Sequence, residues 1–161
     1  MLRSKEKLTD FRTAVLVDLL DEAFDKKSWH GPNLRGSIRG VSAEAAAWRP
    51  GPGRHNIWEL TVHAAYWKYV VRRKLTGEKR GSFPLKGSNF FARPQELSEA
   101  AWKADVRLLE EQHELLRQTV SGYPLSGAKA ASAMHLIRGA AAHDLYHAGQ
   151  IRLLRRMEGD R

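Results

Sequence analysis

The sequence contains no cysteine, and this absence excludes three kinds of chemistry. A chain without cysteine forms no disulfide, offers no thiolate ligand to a metal ion and has no cysteine nucleophile. Any metal site in this protein must therefore use nitrogen and oxygen donors. If thiol chemistry takes place, the thiol has to arrive on a substrate.

Long apolar runs are missing as well. No segment approaches the roughly 20 apolar residues that cross a bilayer, and the first residues, MLRSKEKLTDF, lack the apolar stretch of a signal peptide. We therefore expect a cytoplasmic protein without a membrane partner. With 161 residues, the chain has the length of a single domain, spanning 1–161, that can bury a core.

Acidic residues are in the minority, since 27 Lys and Arg stand against 18 Asp and Glu, for a formal net charge of +9. Such an excess can indicate nucleic-acid binding. The basic clusters, however, lie near the C-termini of predicted helices, where the helix dipole favours cations. These clusters are residues 72–74, residues 79–80, and Arg152, Arg155 and Arg156. Because no known nucleic-acid-binding motif accompanies them, we interpret them as solvated helix ends and expect no nucleic-acid partner.

The alternation of apolar and polar residues that is typical of strands is also absent. Four segments, about residues 4–27, 56–76, 95–121 and 130–157, instead carry apolar residues at helical three- and four-residue steps. The predicted inward faces of the first three are Leu8, Phe11, Val15 and Leu19; Ile57, Leu60, Ala64, Trp67 and Val71; and Trp102, Val106, Leu109, Leu116 and Val120. The pattern predicts an all-α protein, a four-helix bundle with long crossover connections.

The connections between these segments carry further signals. A short helix that Ser42 caps and Pro50 ends precedes the second long segment. Gly77 is a natural stop for that segment. The long connection over residues 77–94 contains Phe83, Phe90 and Phe91. These rings either cover one end of the bundle as a lid or anchor the crossover to the core.

Three histidines indicate a metal site. His143 and His147 stand four residues apart in the motif HDLYH, so on a helix both imidazoles can meet one ion. This spacing also arises by chance, but both residues lie in one predicted inward stripe with Leu136, Ala140, Gln150 and Leu154. His63 should face the core from the second long helix. Because imidazoles are costly to bury unless a partner satisfies them, the three together favour metal binding.

The segments HNIWELTVHAAYW and HDLYHAGQIRLL resemble the DinB-like superfamily, which includes YfiT-type proteins. The resemblance extends over nearly the whole chain. It implies a four-helix bundle with a long crossover and a divalent ion bound by three histidines, which correspond here to His63, His143 and His147. It also implies one of two chemistries, a thiol-dependent transferase or isomerase that uses a low-molecular-weight thiol, or a metal-dependent hydrolase. A homodimer is a further expectation.

Three imidazoles leave a divalent ion its full charge and an open coordination position, at which water or a thiol becomes a nucleophile near neutral pH. Zinc and nickel both suit three nitrogen ligands. We therefore predict a metal-dependent transferase or hydrolase acting on a small-molecule substrate. The alternatives are a structural or sensory metal-binding module without catalysis and, with less support, a nucleic-acid-binding protein.

Four further residues are candidates for this site. Glu59, one turn before His63, is a candidate to orient that ring, to reach the metal or to act as a base, unless it only pairs with a nearby arginine. Asp144 is a candidate base, or else pairs with a neighbouring helix. Gln150 and His113 are candidate pocket residues. His113 is a fourth ligand, a pocket wall or a hydrogen-bonded core histidine.

Overall fold

Four long and two short helices make up the part of the fold that the structure describes. The structure is a computed structural model and describes residues 11–159. Its helices are α1 Phe11–Phe24, α2 Leu34–Ser37, α3 Ala43–Ala47, α4 Ile57–Thr76, α5 Glu99–Gly122 and α6 Ala130–Gly159. Between residues 11 and 159 every regular element is helical, which confirms the predicted all-α class. Over the same range, none of the helices combines the length and the apolar character that a membrane span requires.

The four long helices form a ring in which α4 packs against α5 and α6, and α1 packs against the same two helices. α1 and α4 therefore occupy opposite corners. One apolar cluster surrounds α4 and includes Trp58 and Trp102, whose rings meet edge to face. A second cluster joins α1, α5 and α6 around Leu20, Leu116 and Ile137.

Local capping chemistry sets several helix ends. The Asn56 side chain accepts a hydrogen bond from the Glu59 backbone N–H at 2.7 Å and begins α4. Gly77, with φ of 77°, ends it, as predicted. Ser42 caps α3, also as predicted. The predicted start of the third long helix at residue 95 is wrong, because Ser98 caps α5 and the helix begins at Glu99.

The predicted inward face of α1 is wrong for the residues that the structure describes. Phe11 is 81% exposed and Val15 is 47% exposed, whereas Leu16 and Leu20 are buried. Asp21 forms a two-point ion pair with Arg117 of α5, at 2.7 and 2.9 Å, and this pair is one of the contacts that set the rotation of α1. The rest of the predicted segment, residues 4–10 with Leu8, lies outside the described residues.

The buried stripe of α6 also differs from the predicted one. Leu136, His143 and Gln150 are only partly buried, and the fully buried positions include Ile137, Ala140, Asp144, His147, Ile151 and Leu154. The helix is thus rotated so that Asp144 lies at the centre of the buried face, with His143 at its edge.

Candidate metal centre

The three predicted histidines lie together between α4 and α6. His63 Nε2 is 3.1 Å from His143 Nε2, and His147 Nε2 is 3.0 Å from the same atom. His63 and His147 are buried, and His143 is partly buried. One ligand nitrogen from each residue lies within 4.8 Å of the others, which makes the trio a group able to hold a metal ion.

The outer nitrogens of two of these rings have hydrogen-bond acceptors. His63 Nδ1 lies 2.9 Å from the backbone oxygen of Asn89, and His147 Nδ1 lies 2.7 Å from Oε1 of Gln150. A carbonyl oxygen only accepts, so each Nδ1 must carry the proton and donate it. In the neutral rings, Nε2 of His63 and of His147 then presents a lone pair toward His143.

Burial keeps all three rings neutral. It lowers the pKa of His143 to about 3, with a contribution from the neighbouring His147 and His63. It also lowers the pKa of His147 to about 4, although the hydrogen bond with Gln150 opposes the shift. The pKa of His63 is lowered for the same principal reason. At pH 7 the trio is therefore in the form that binds metal ions.

This donor set fits a divalent cation. The Nε2 lone pairs of His63 and His147 each lie about 3 Å from His143 Nε2. Such close contacts are repulsive unless a proton or a cation lies between the atoms, and His143 Nε2 has one proton at most to share. Nitrogens that bind one zinc ion at about 2.0–2.1 Å in a tetrahedral site lie about 3.3 Å apart, close to the two separations observed. Hydrogen bonding of the outer nitrogen to a carbonyl is also the usual support of a metal-binding histidine.

The trio opens into a cavity of about 680 Å³ with mainly apolar walls. Its lining includes Leu60, Phe90, Tyr146, Leu153, Leu154 and Met157, together with Arg54, His55 and Gln150. Phe90 stacks on His63, at 4.0 Å between ring centroids, and on His55, at 3.8 Å. Phe83 and Phe91 are instead buried in the core. Each of the two predictions thus holds for part of the set. Phe90 covers the site, and Phe83 and Phe91 anchor the crossover to the core.

The comparison with protein families agrees with this geometry. The family model described as the DinB superfamily matches residues 28–151, well over half of the chain. The chain belongs to the DinB superfamily. No curated protein and no solved structure matches it significantly.

The role of Asn89 in this DinB-superfamily site was not predicted. Its backbone has φ of 64°, a left-handed conformation that asparagine tolerates better than most residues. Its carbonyl faces His63, and its side-chain oxygen accepts a hydrogen bond from Trp67 Nε1 at 3.0 Å. The only signal in the sequence is an asparagine in the glycine-containing stretch GSNFF. This signal indicates a tight turn, but it does not indicate which side chain the Asn89 carbonyl contacts.

Glu59 lies at the start of α4 and contacts Arg49 and His55, and no hydrogen bond joins it to His63. The two Arg49 nitrogens bind its carboxylate oxygens at 2.9 and 2.5 Å, and His55 Nδ1 lies 2.8 Å from Oε2. Burial by itself would raise the pKa of Glu59, but hydrogen bonds with Arg49, His55 and the Arg93 backbone N–H lower it to about 2. Glu59 thus ties the loop before α4, and the end of the crossover at Arg93, to this helix.

We expect Glu59→Gln to destabilise the DinB fold without emptying the metal site. The neutral amide loses the charge-assisted bonds with Arg49, which should cost about 1–3 kcal/mol in urea unfolding. Metal content per chain should stay unchanged. The matched control is Glu78→Gln, which breaks the surface pair of Glu78 with Arg72 and should cost less than about 1 kcal/mol. Loss of the metal from Glu59→Gln alone would contradict this placement.

Asp144 points into the bundle and pairs with a neighbouring helix. Its Oδ2 accepts a hydrogen bond from Lys68 Nζ of α4, and the side chains of Lys68 and Asp144 are only 2% and 1% exposed. His113 of α5 joins this buried group, because its Nδ1 lies 3.3 Å from Lys68 Nζ and its ring stacks on Phe24 at 3.7 Å. Neither Asp144 nor His113 is among the residues that line the cavity of the trio.

The buried His113 should make this DinB-superfamily protein sensitive to acid. Burial, with the charges of Lys68 and Arg117, lowers the pKa of His113 to about 2, whereas an unfolded histidine titrates near 6.5. The stability that its neutral form contributes is therefore present above pH 6.5 and is lost as the pH falls below that value. At pH 5 the loss should be about 2 kcal/mol.

This prediction is checked by urea unfolding of metal-free protein at pH 7.5 and pH 5. His113→Gln should lose about 2 kcal/mol less stability over this range than the wild type. His135→Gln, which changes an exposed histidine of α6, is the control and should follow the wild-type profile. Equal acid sensitivity in the wild type and in His113→Gln would show that His113 does not remain neutral in the fold.

Proposed function

We propose that this protein is a metal-dependent enzyme that transfers a low-molecular-weight thiol to an apolar small molecule, with His63, His143 and His147 as the metal ligands. The observation that carries the proposal is the convergence of three neutral histidine nitrogens on the floor of an apolar cavity. Zinc and nickel are the ions that we favour, because both bind well to imidazole.

The bound ion would supply Lewis-acid chemistry, since it stabilises a thiolate or hydroxide at neutral pH. The residues of the chain would position the reactants. Gln150 and Asn89 hold the outer nitrogens of His147 and His63, so the two rings keep one orientation. The apolar walls, including Leu60, favour an apolar electrophile and disfavour water.

His55 is the side chain of the cavity that we assign to proton transfer. Its Nδ1 is held by Glu59, and its ring packs on Phe90, so the imidazole is oriented from two sides. A histidine oriented by a carboxylate is a common acid–base pair. In thiol transfer, His55 would accept the proton of the incoming thiol while a carbon–sulfur bond forms and the leaving group departs with its electron pair. Glu59 would act through His55 and not on the metal.

Hydrolysis is the second candidate function. The same His55–Glu59 pair favours it, because a histidine and a carboxylate at 2.8 Å can remove a proton from water as well as from a thiol. The two functions share the metal, the cavity and the proton acceptor. They differ only in whether a thiol enters the cavity.

Cobalt(II) substitution separates the two candidates. Protein freed of metal with a chelator is loaded with cobalt(II), whose visible spectrum reports its ligands, and is then titrated with low-molecular-weight thiols. Thiol transfer requires a sulfur-to-cobalt charge-transfer band that saturates with thiol and is absent in His147→Ala. His135→Ala, on the same helix but exposed, should give the wild-type spectrum. A cobalt spectrum that no thiol changes would contradict the thiol proposal and leave hydrolysis as the function to assay.

A further inference from the structure

A second cavity, of about 750 Å³, lies between the last turns of α4 and the crossover. It is separate from the cavity of the trio, because the two lining sets share no residue. Two consecutive residues of the crossover line different cavities: Asn89 lines the second cavity, and Phe90 lines the cavity of the trio. The metal chemistry proposed above gives this second cavity no role.

Four cations line the cavity and no carboxylate does. They are Arg73 and Lys74 from α4, and Arg80 and Lys86 from the crossover. The helix dipole accounts for cations in the last turn of α4. It does not account for Arg80 and Lys86, which a separate segment of the chain brings to the same concavity. Cations gathered in one concavity reinforce each other's attraction for an anion.

These four cations also differ from the other basic side chains near them. Arg72, the neighbour of Arg73, pairs with Glu78, and Arg93 pairs with Asp105. Between residues 11 and 159 no ion pair is formed by any of the four that line the cavity. The Nε atom of Arg73 is moreover buried without a hydrogen-bond partner, as is that of Arg72, which does not line the cavity. A buried donor in that state is costly unless a ligand satisfies it.

Aromatic side chains form the other part of the lining, with Tyr66, Trp67 and Phe83 among them. Trp67 is 36% exposed, which is high for so large an apolar ring, and Asn89 fixes its position by accepting the indole N–H. A fixed, exposed aromatic ring is a surface on which a planar group can stack. The cavity therefore combines a cationic part with an aromatic part.

From this arrangement we infer that the second cavity binds a small organic phosphate that carries a planar ring. The guanidinium groups of Arg73 and Arg80 suit a phosphate group, because their paired N–H donors match its oxygens. Lys74 and Lys86 add charge, and the aromatic part holds the ring. A nucleoside monophosphate has this chemistry.

The test is a titration of the full-length protein with AMP by calorimetry at physiological salt, beside adenosine and inorganic phosphate. We expect AMP to bind at least tenfold more tightly than adenosine or inorganic phosphate alone. Amide chemical shifts of 15N-labelled protein should change over residues 66–74 and 80–89. Shifts centred on residues 143–150 would instead place AMP at the histidine trio and overturn the inference.

Matched charge variants separate a site from general attraction by a basic protein. Arg80→Gln with Lys86→Gln removes two charges that line the cavity, and we expect it to weaken AMP binding about tenfold or more. Lys79→Gln with Arg152→Gln removes two charges that do not line it and should change the affinity less than twofold. Equal losses in the two double variants would overturn the inference. Tight binding of a single-stranded oligonucleotide without any binding of AMP would also overturn the inference.

Discussion

Purified wild-type protein should contain about one divalent ion per chain, and His63→Ala and His147→Ala should each lose most of it. Each variant removes one of the three proposed ligands and leaves two nitrogens, which should not hold the ion against dilution and a weak chelator. Mutation of a residue that only supports a metal ligand already costs about 10- to 100-fold in affinity, so removal of a ligand should cost more than about 100-fold.

Metal analysis of the purified proteins, followed by titration of the chelator-treated proteins with zinc and nickel, measures this loss. His135→Ala is the matched control, because it removes an exposed histidine from the same helix as His143 and His147. Its metal content should equal that of the wild type. Unchanged occupancy in both His63→Ala and His147→Ala would contradict the metal site and, with it, the proposed enzyme.

Thermal unfolding gives a second measurement of the same site. A ligand at 100 times its dissociation constant stabilises the fold that binds it by about 2.7 kcal/mol. Zinc at this excess should therefore raise the melting temperature of the wild type and of His135→Ala by several degrees. At the same concentration it should leave His147→Ala nearly unchanged.

The second large effect is expected at the ion pair of Lys68 with Asp144. Both side chains are buried almost completely, and they join α4, which carries His63, to α6, which carries His143 and His147. Removal of one partner leaves an uncompensated charge in the core. We therefore expect Lys68→Met or Asp144→Leu alone to lower the free energy of unfolding by roughly 3–5 kcal/mol.

The double variant Lys68→Met with Asp144→Leu should be much more stable than either single variant. Two apolar side chains of similar volume need no partner, and replacement of a buried ion pair in this way is often neutral or stabilising. One oxygen of Asp144, Oδ1, is buried without a hydrogen-bond partner among the described residues, so part of the cost of burial is not offset in the native pair.

Urea unfolding of the four proteins as a double-mutant cycle measures the coupling between the two residues. The control is Glu78→Gln, which changes the exposed partner of the pair with Arg72 and should cost less than about 1 kcal/mol. Single variants as stable as this control would show that the two charges are not buried together. Metal content of the folded double variant then reports whether the ion pair also positions the histidine trio.

Some parts of the fold follow from short stretches of sequence. Ser42 and Gly77 act through hydrogen bonds and backbone angles within about four residues, and the helix ends that they predict are confirmed. The all-α class follows in the same way from helical periodicity. The family assignment is confirmed as well. The homodimer and the identity of the metal stay predictions.

The faces that the helices bury depend on partners that are distant in sequence. Lys68 and Asp144 stand 76 positions apart, and their pairing turns α6 so that a carboxylate, and not His143, lies at the centre of its buried face. On α1, Leu16 and Leu20 compete with Phe11 and Val15 as the apolar face. Periodicity identifies the apolar faces that a helix could bury, but the neighbouring helices determine which of these faces is buried.

The same division holds for the metal centre. The candidate donors can be read from the sequence, because the absence of cysteine leaves nitrogen and oxygen, and helical spacing pairs His143 with His147. Their surroundings depend on contacts between segments that are distant in sequence. The acceptor for His63 is a backbone carbonyl, that of Asn89, which every residue type has and no pattern marks. Glu59, one turn before His63, and Asp144, next to His143, are directed to Arg49 and Lys68, because a buried carboxylate is stable only where the fold places a cation against it.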